Sequence, residues 1–155
     1  MEFNYYNEKE YNHIKCVVTD LISKGDNRFV IYPCGNMGEM ASRVIRQKHG
    51  MVDFYIDNFK SDGCNIFTVD EAKNKDIEND VILICSTNIK YYDEIRNNIY
   101  GVFPEDKIID IFPKIIIDKL TEMPGEFVVV SDERILSDIQ YFSNIINEAE
   151  DDECR

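Results

Sequence analysis

The chain has 155 residues, 44% of them hydrophobic, enough for one domain with a sizeable core. Its formal net charge is −13, from 17 basic and 30 acidic residues; such a surface repels phosphate backbones and anionic membranes and excludes nucleic acid and membrane as expected partners. No apolar run approaches the roughly 20 residues that span a bilayer, and the polar, aromatic start MEFNYYNEKEYNH has no secretory core, so a cytoplasmic location is expected.

In chain order, Tyr11, Ile14, Val17, Val18, Leu21 and Ile22 recur at helical spacing and predict an amphipathic helix over residues 8–24, stopped at Gly25. Asp26 and Asn27 turn the chain into a short apolar strand, Phe29, Val30, Ile31 and Tyr32. The turn Pro33-Cys34-Gly35-Asn36-Met37-Gly38 follows. Then Met37, Met40, Ala41, Val44 and Ile45 form one apolar helix face, with Gly50 placed at the residue just past the helix end. Val52, Phe54 and Ile56 alternate with Asp53 and Tyr55, which predicts a strand ended by Asp57.

After a polar loop over residues 58–63, a short strand is expected at residues 64–67. Thr68 and Glu71 have the spacing of a capping box, and the helix they open should end near Lys75. Val81, Ile82, Leu83, Ile84 and Cys85 are apolar on both faces and predict the central strand. Ser86, Thr87 and Asn88 offer caps for a helix carrying Tyr92, Ile95 and Ile99, which Gly101 ends; a strand over residues 107–112 follows. Residues 114–120 read equally as strand or helix. Phe127, Val128, Val129 and Val130 predict a strand at a sheet edge. Ser131 and Asp132 cap a last helix with the apolar face Ile135, Leu136, Ile139, Phe142, Ile145 and Ile146.

Strands alternating with helices, without repeats, predict an α/β fold: a Rossmann-like open parallel sheet flanked by helices, in a single three-layer domain with right-handed crossovers. The organisation is an N-terminal helix packed on the domain (residues 1–27), the nucleotide-binding-type unit (28–130), and a C-terminal helix with an acidic tail (131–155).

The chemistry should sit at the turn after the first core strand. In a G-x-G-x-x-G fingerprint, Gly35 takes the second glycine's place, which lets a phosphate approach the backbone, and Gly38 the third, which lets helix and strand pack closely. Pro33 stands in place of the first. A helix N-terminus supplies positive potential without basic side chains. The candidate ligand-binding residues are Gly35, Asn36, Met37 and Gly38 as the phosphate-facing loop, Asp57 for ribose hydroxyls, and Ser86 and Thr87 lining the same crevice. Asp57 and Asn58 also suit a simple turn.

Catalytic machinery is not expected. The five cysteines are scattered and read as buried structural thiols. Cys34 is set apart by the helix start, which lowers a thiol pKa, yet no histidine partner is identifiable. His13 and His49 lack metal-ligand spacing, so no metal is expected. Lys90, Tyr91 and Tyr92 lack the Y-x-x-x-K spacing of a nicotinamide oxidoreductase.

The order IYPCGNMG, FYIDN, DVILICSTN, KIIDIF resembles the Rossmann-like accessory domain of bacterial glycan-modifying proteins, found in the N-terminal domains of sugar acyltransferases and in FkbM-type methyltransferases. The segment FSNIINEAEDDECR is similar to the one leading into the FkbM-type methyltransferase domain. The resemblance implies a non-catalytic module for a nucleotide or nucleotide-sugar in glycan or polysaccharide biosynthesis. Its alternatives are the N-terminal part of an S-adenosylmethionine-dependent methyltransferase, or an interaction scaffold without ligand. Hexapeptide repeats and a catalytic histidine are absent, which speaks against acyl transfer. The apolar face of the last helix predicts a second domain or a homo-oligomer as partner.

Overall fold

The structure is a computed structural model and describes residues 4–122 and 127–130. Strand β1 (Asn4–Asn7) leads directly into helix α1 (Glu8–Ser23). Then follow β2 (Arg28–Tyr32), α2 (Asn36–Gln47), β3 (Met51–Ile56), β4 (Ile66–Phe67), α3 (Val69–Ala72) and β5 (Val81–Ile84). Helix α4 (Tyr92–Tyr100), a 3-10 turn (Glu105–Lys107), β6 (Ile108–Asp110), α5 (Lys114–Glu122) and β7 (Phe127–Val130) complete the described chain.

Five strands form one parallel sheet in the order β4-β3-β2-β5-β6. Strand order reverses between β2 and β5, so the crevice of a Rossmann-like sheet opens between their carboxyl ends. Alternation along β2 divides the core. Phe29 and Ile31 face α1, α2 and α5, where Ile14, Val18, Val44, Ile45 and Ile117 are buried. Val30 and Tyr32 face the opposite side, with Val69 and Ala72 of α3 and Ile99 of α4. Each side chain buried this way contributes about 1.5–3 kcal/mol, which makes both faces of β2 and β5 the main source of cohesion.

Several expectations change. Residues 114–120 are helical, within α5. β7 does not edge the main sheet; it pairs antiparallel with β1 in a separate two-stranded ribbon. The polar segment that forms β1 gave no apolar alternation to announce it. Ser86, Thr87 and Asn88 do not cap α4, which starts at Tyr92. Ser86 Oγ instead accepts from the Asn88 amide (3.2 Å) and Asn88 Oδ1 from the Tyr91 amide (3.2 Å), so the polar run builds a loop over the sheet edge. β4 is shortened to Ile66–Phe67 because the Asp62 carboxylate accepts from the amides of Cys64, Asn65 and Ile66 at 2.8, 2.8 and 2.9 Å.

At the end of α2 it is His49, not Gly50, that takes the left-handed conformation (φ 66°). The His49 amide donates to Arg46 O and the Gly50 amide to Ile45 O (3.1 and 2.8 Å), a Schellman closure. Gly50 is required for a different reason: a Cβ there would lie 2.8 Å from Ile45 Cγ2.

The cysteines also diverge. Cys85 is buried, Cys64 is exposed, and Cys16 is disulfide-bonded and not a free thiol. The last predicted helix, with Ile135, Leu136, Ile139, Phe142, Ile145 and Ile146, and the acidic tail lie outside the described residues. Among the described residues, no helix is long and apolar enough to cross a membrane.

Candidate functional site

The carboxyl ends of β3, β2 and β5 lie side by side, and the candidate ligand-binding residues all follow directly after them. After β2 the chain passes through a cis Tyr32–Pro33 peptide, and the Gly35 amide donates to Pro33 O (3.1 Å). Gly35 is the N-cap of α2, with extended backbone (φ −132°, ψ −162°) and no side-chain cap. Among the described residues, the amides of Asn36, Met37 and Gly38 have no hydrogen-bond acceptor, whereas Glu39 already donates to Gly35 O (2.8 Å). Three open donors therefore head a helix whose dipole adds positive potential.

The two glycines are distinguished sharply by their surroundings. A Cβ on Gly38 would stand 2.5 Å from Pro33 O and 2.9 Å from Ile31 Cγ2, so close packing of α2 against β2 demands glycine. A Cβ on Gly35 would meet nothing within 4 Å, and its φ suits any residue. Nothing in the described protein requires glycine there; its effect is to leave the space before the open amides clear.

Asp57 is buried (6% exposed), and both its oxygens are engaged. Oδ2 accepts from the Cys34 amide at 3.1 Å and Oδ1 from the Phe59 amide at 2.8 Å. It bridges the loops after β2 and β3, and any ribose contact would use its remaining lone pairs. Asn58 turns away and caps α3, accepting from the Val69 amide (2.9 Å). Lys60 Nζ donates to Cys34 O (2.9 Å), placing a cation beside the turn. Burial pushes the Cys34 thiol above its ordinary pKa; Lys60 opposes this, and Asp57, Glu39 and Asp62 add to it. The helix start does not make Cys34 a ready thiolate.

Past β5, Ser86 is buried and Thr87 half-buried. Thr87 is hydrogen-bonded to Glu10 in the first turn of α1, and burial raises the pKa of that carboxyl, against the lowering effects of Lys9 and Thr87. Further along the same edge, His13 Nε2 donates to Ile111 O (2.6 Å) and its ring packs on Phe112. Helix α1 thus borders the crevice, which the sequence did not indicate.

A second group that sequence reasoning missed is Arg96 with Asp110. Arg96 Nε donates to Asp110 Oδ2 (2.7 Å) and Nη2 to Asp110 Oδ1 (3.1 Å). Nη2 also reaches the carbonyls of Ser86 (3.1 Å) and Phe112 (2.6 Å), and the guanidinium lies 3.8 Å from the centre of the Tyr92 ring. The signal was present: Arg96 falls in the stripe Tyr92, Ile95, Ile99, and Asp110 interrupts the apolar run Ile108–Phe112. Opposite charges breaking two adjacent apolar patterns mark a buried pair. Its donors are consumed by Asp110 and by backbone carbonyls, so its work is to hold the loops after β5 and β6.

Among the described residues, no group of three or more His, Cys, Asp or Glu could hold a metal ion. No protein-family model, curated protein or solved structure matches the chain.

Proposed function

We propose that the chain is a non-catalytic binding module that holds a nucleotide or nucleotide-sugar, and that it serves bacterial glycan or polysaccharide biosynthesis. The observation that carries the binding half is Gly35. It is a glycine that the described protein does not need, set before three unpaired amides at the reversal of strand order. Approach of an anionic group is the physical reason to keep that space empty. Lys60 adds the one side-chain cation tied to this turn among the described hydrogen bonds. The glycan context rests on the resemblance of the ordered motifs alone. Asp57 and Glu10 put negative charge at the rim, which favours a ligand whose hydroxyls can donate to carboxylates while its anionic part stays at the α2 amides.

The test is a thermal-shift and calorimetry panel of nucleotides, nucleotide-sugars, NAD and S-adenosylmethionine, with Gly35→Ser as the control variant. Serine is a good N-cap, so folding stability should stay within a few tenths of a kcal/mol or rise. Its hydroxyl would occupy the open amides and should weaken a nucleotide-type ligand about tenfold or more, a loss of ~1.4 kcal/mol. If no compound in the panel stabilises the protein, the scaffold reading replaces this one. Stabilisation by S-adenosylmethionine alone would favour the methyltransferase relationship.

A further inference from the structure

The opposite edge of the sheet carries a group of charges that the crevice does not use. Arg28 opens β2, Asp53 lies within β3, and Asp80 immediately precedes β5. Arg28 Nε donates to Asp80 Oδ1 (3.1 Å) and Nη2 to Asp53 Oδ2 (3.2 Å). The side chain of Asp80 is 1% exposed, and among the described residues its Oδ2 has no hydrogen-bond partner. One guanidinium is therefore shared between two carboxylates, and one oxygen of the buried carboxylate is unsatisfied. A buried acceptor without a donor is costly, and a second carboxylate beside it compounds the cost.

A single proton resolves both problems. Placed on Asp80 Oδ2, it cancels one negative charge and gives Asp80 a donor for the Asp53 carboxylate. The surroundings favour it. The same edge holds an open depression of about 590 Å³, lined also by Asp26, Glu78, Asp106 and Lys107. Lys107 donates to the Glu78 carbonyl, so the acids outnumber the bases around Asp80.

We propose that Asp80 and Asp53 form a one-proton site beneath Arg28, which fastens the starts of β2 and β5 to β3 when the proton is bound and loosens them when it leaves. Burial, together with the hydrogen bond and charge of Asp53, pushes the pKa of Asp80 up to about 6, against the lowering pull of Arg28. The folded value lies above the ordinary 3.8. The stabilisation is thus fully present below the ordinary value and is lost as pH rises through about 6. The site is independent of whether the crevice at the other edge binds a ligand.

Carboxyl-carbon NMR of the full chain between acid and neutral pH reads the site directly. Asp80 should titrate in a one-proton step centred near pH 6, and the amide shifts of Gly25, Asn27 and Asn79 should follow the same curve. Asp53→Asn removes the neighbouring charge and should move the midpoint down by about one unit. Asp80→Asn keeps an acceptor for Arg28 and gives Asp53 a permanent N–H donor, so its melting temperature should lose the decline that the parent protein shows across this range. A midpoint in the ordinary carboxylate range, or one unmoved by Asp53→Asn, overturns the proposal. The titrations of the parent and of Asp53→Asn decide the matter even if Asp80→Asn does not fold.

Discussion

The two edges of the parallel sheet solve the same problem in opposite ways. At the carboxyl edge the buried charges are surrounded by partners. Asp57 takes two amides, and Arg96 takes one carboxylate and the carbonyls of Tyr92, Ser86 and Phe112 besides the Tyr92 ring. At the amino edge Arg28 divides itself between Asp53 and Asp80, and among the described residues a buried oxygen of Asp80 is left without a donor. Full satisfaction gives a rigid rim whose open donors belong to the head of α2. Partial satisfaction gives an edge whose strength depends on proton concentration. The difference shows that burial alone does not decide whether a charge stiffens a fold; the count of donors and acceptors does.

The largest expected effect tests the carboxyl edge. Arg96→Ala leaves Asp110 half-stranded and the carbonyls of Ser86 and Phe112 without their donor, and should cost about 3–5 kcal/mol in urea unfolding. A loss below ~1 kcal/mol would place Arg96 among ordinary surface pairs and break the contrast between the edges. At the amino edge, the shift of Asp80 from 3.8 to about 6 sets a ceiling of ~3 kcal/mol on the stability lost as pH rises through that window. Denaturant titrations at pH 5 and pH 8 should show the parent weakening relative to Asp80→Asn; parallel curves would remove the pH dependence.

Gly38→Ala should cost about 1–3 kcal/mol, because its Cβ would press on Pro33 O at 2.5 Å, and the backbone has to shift. Unchanged thermal stability would mean that the turn before α2 is softer than its geometry indicates. The smallest of these effects is a gain. His49→Gly relieves a left-handed conformation that costs non-glycine residues about 1–2 kcal/mol, offset in part by the entropy of a more flexible unfolded chain. A rise in unfolding free energy of up to ~1 kcal/mol is expected, and a fall would show that the imidazole makes a compensating contact.

Much of this was legible in the sequence, and what was not has physical causes. The β2–α2–β3 unit is visible because every level agrees: an apolar strand, a glycine turn, a helix with one apolar face and a second strand. Gly38 was placed correctly because its role is steric and local. The Ser86–Asn88 run misled, since residues that cap helices also build turns, and the choice depends on which backbone groups the sheet edge leaves unpaired. The engagement of both Asp57 oxygens needed the Cys34 amide, brought in from another strand. Glu10 at Thr87 and Arg28 between Asp53 and Asp80 are likewise products of topology, joining positions far apart in the chain. Ribbon pairing between β1 and β7 is the extreme case, linking the two ends of the described chain.

That ribbon has a mechanical consequence. Its register sets Asn4 opposite Val130 and Asn7 opposite Phe127. Asn4 and Val130 therefore lie at the same end of the pair. A pull applied at Asn4 and Val130 themselves loads the terminal cross-strand hydrogen bonds first and opens the ribbon pair by pair, like a zipper. It does not strain all the bonds at once, as shear along the strands would.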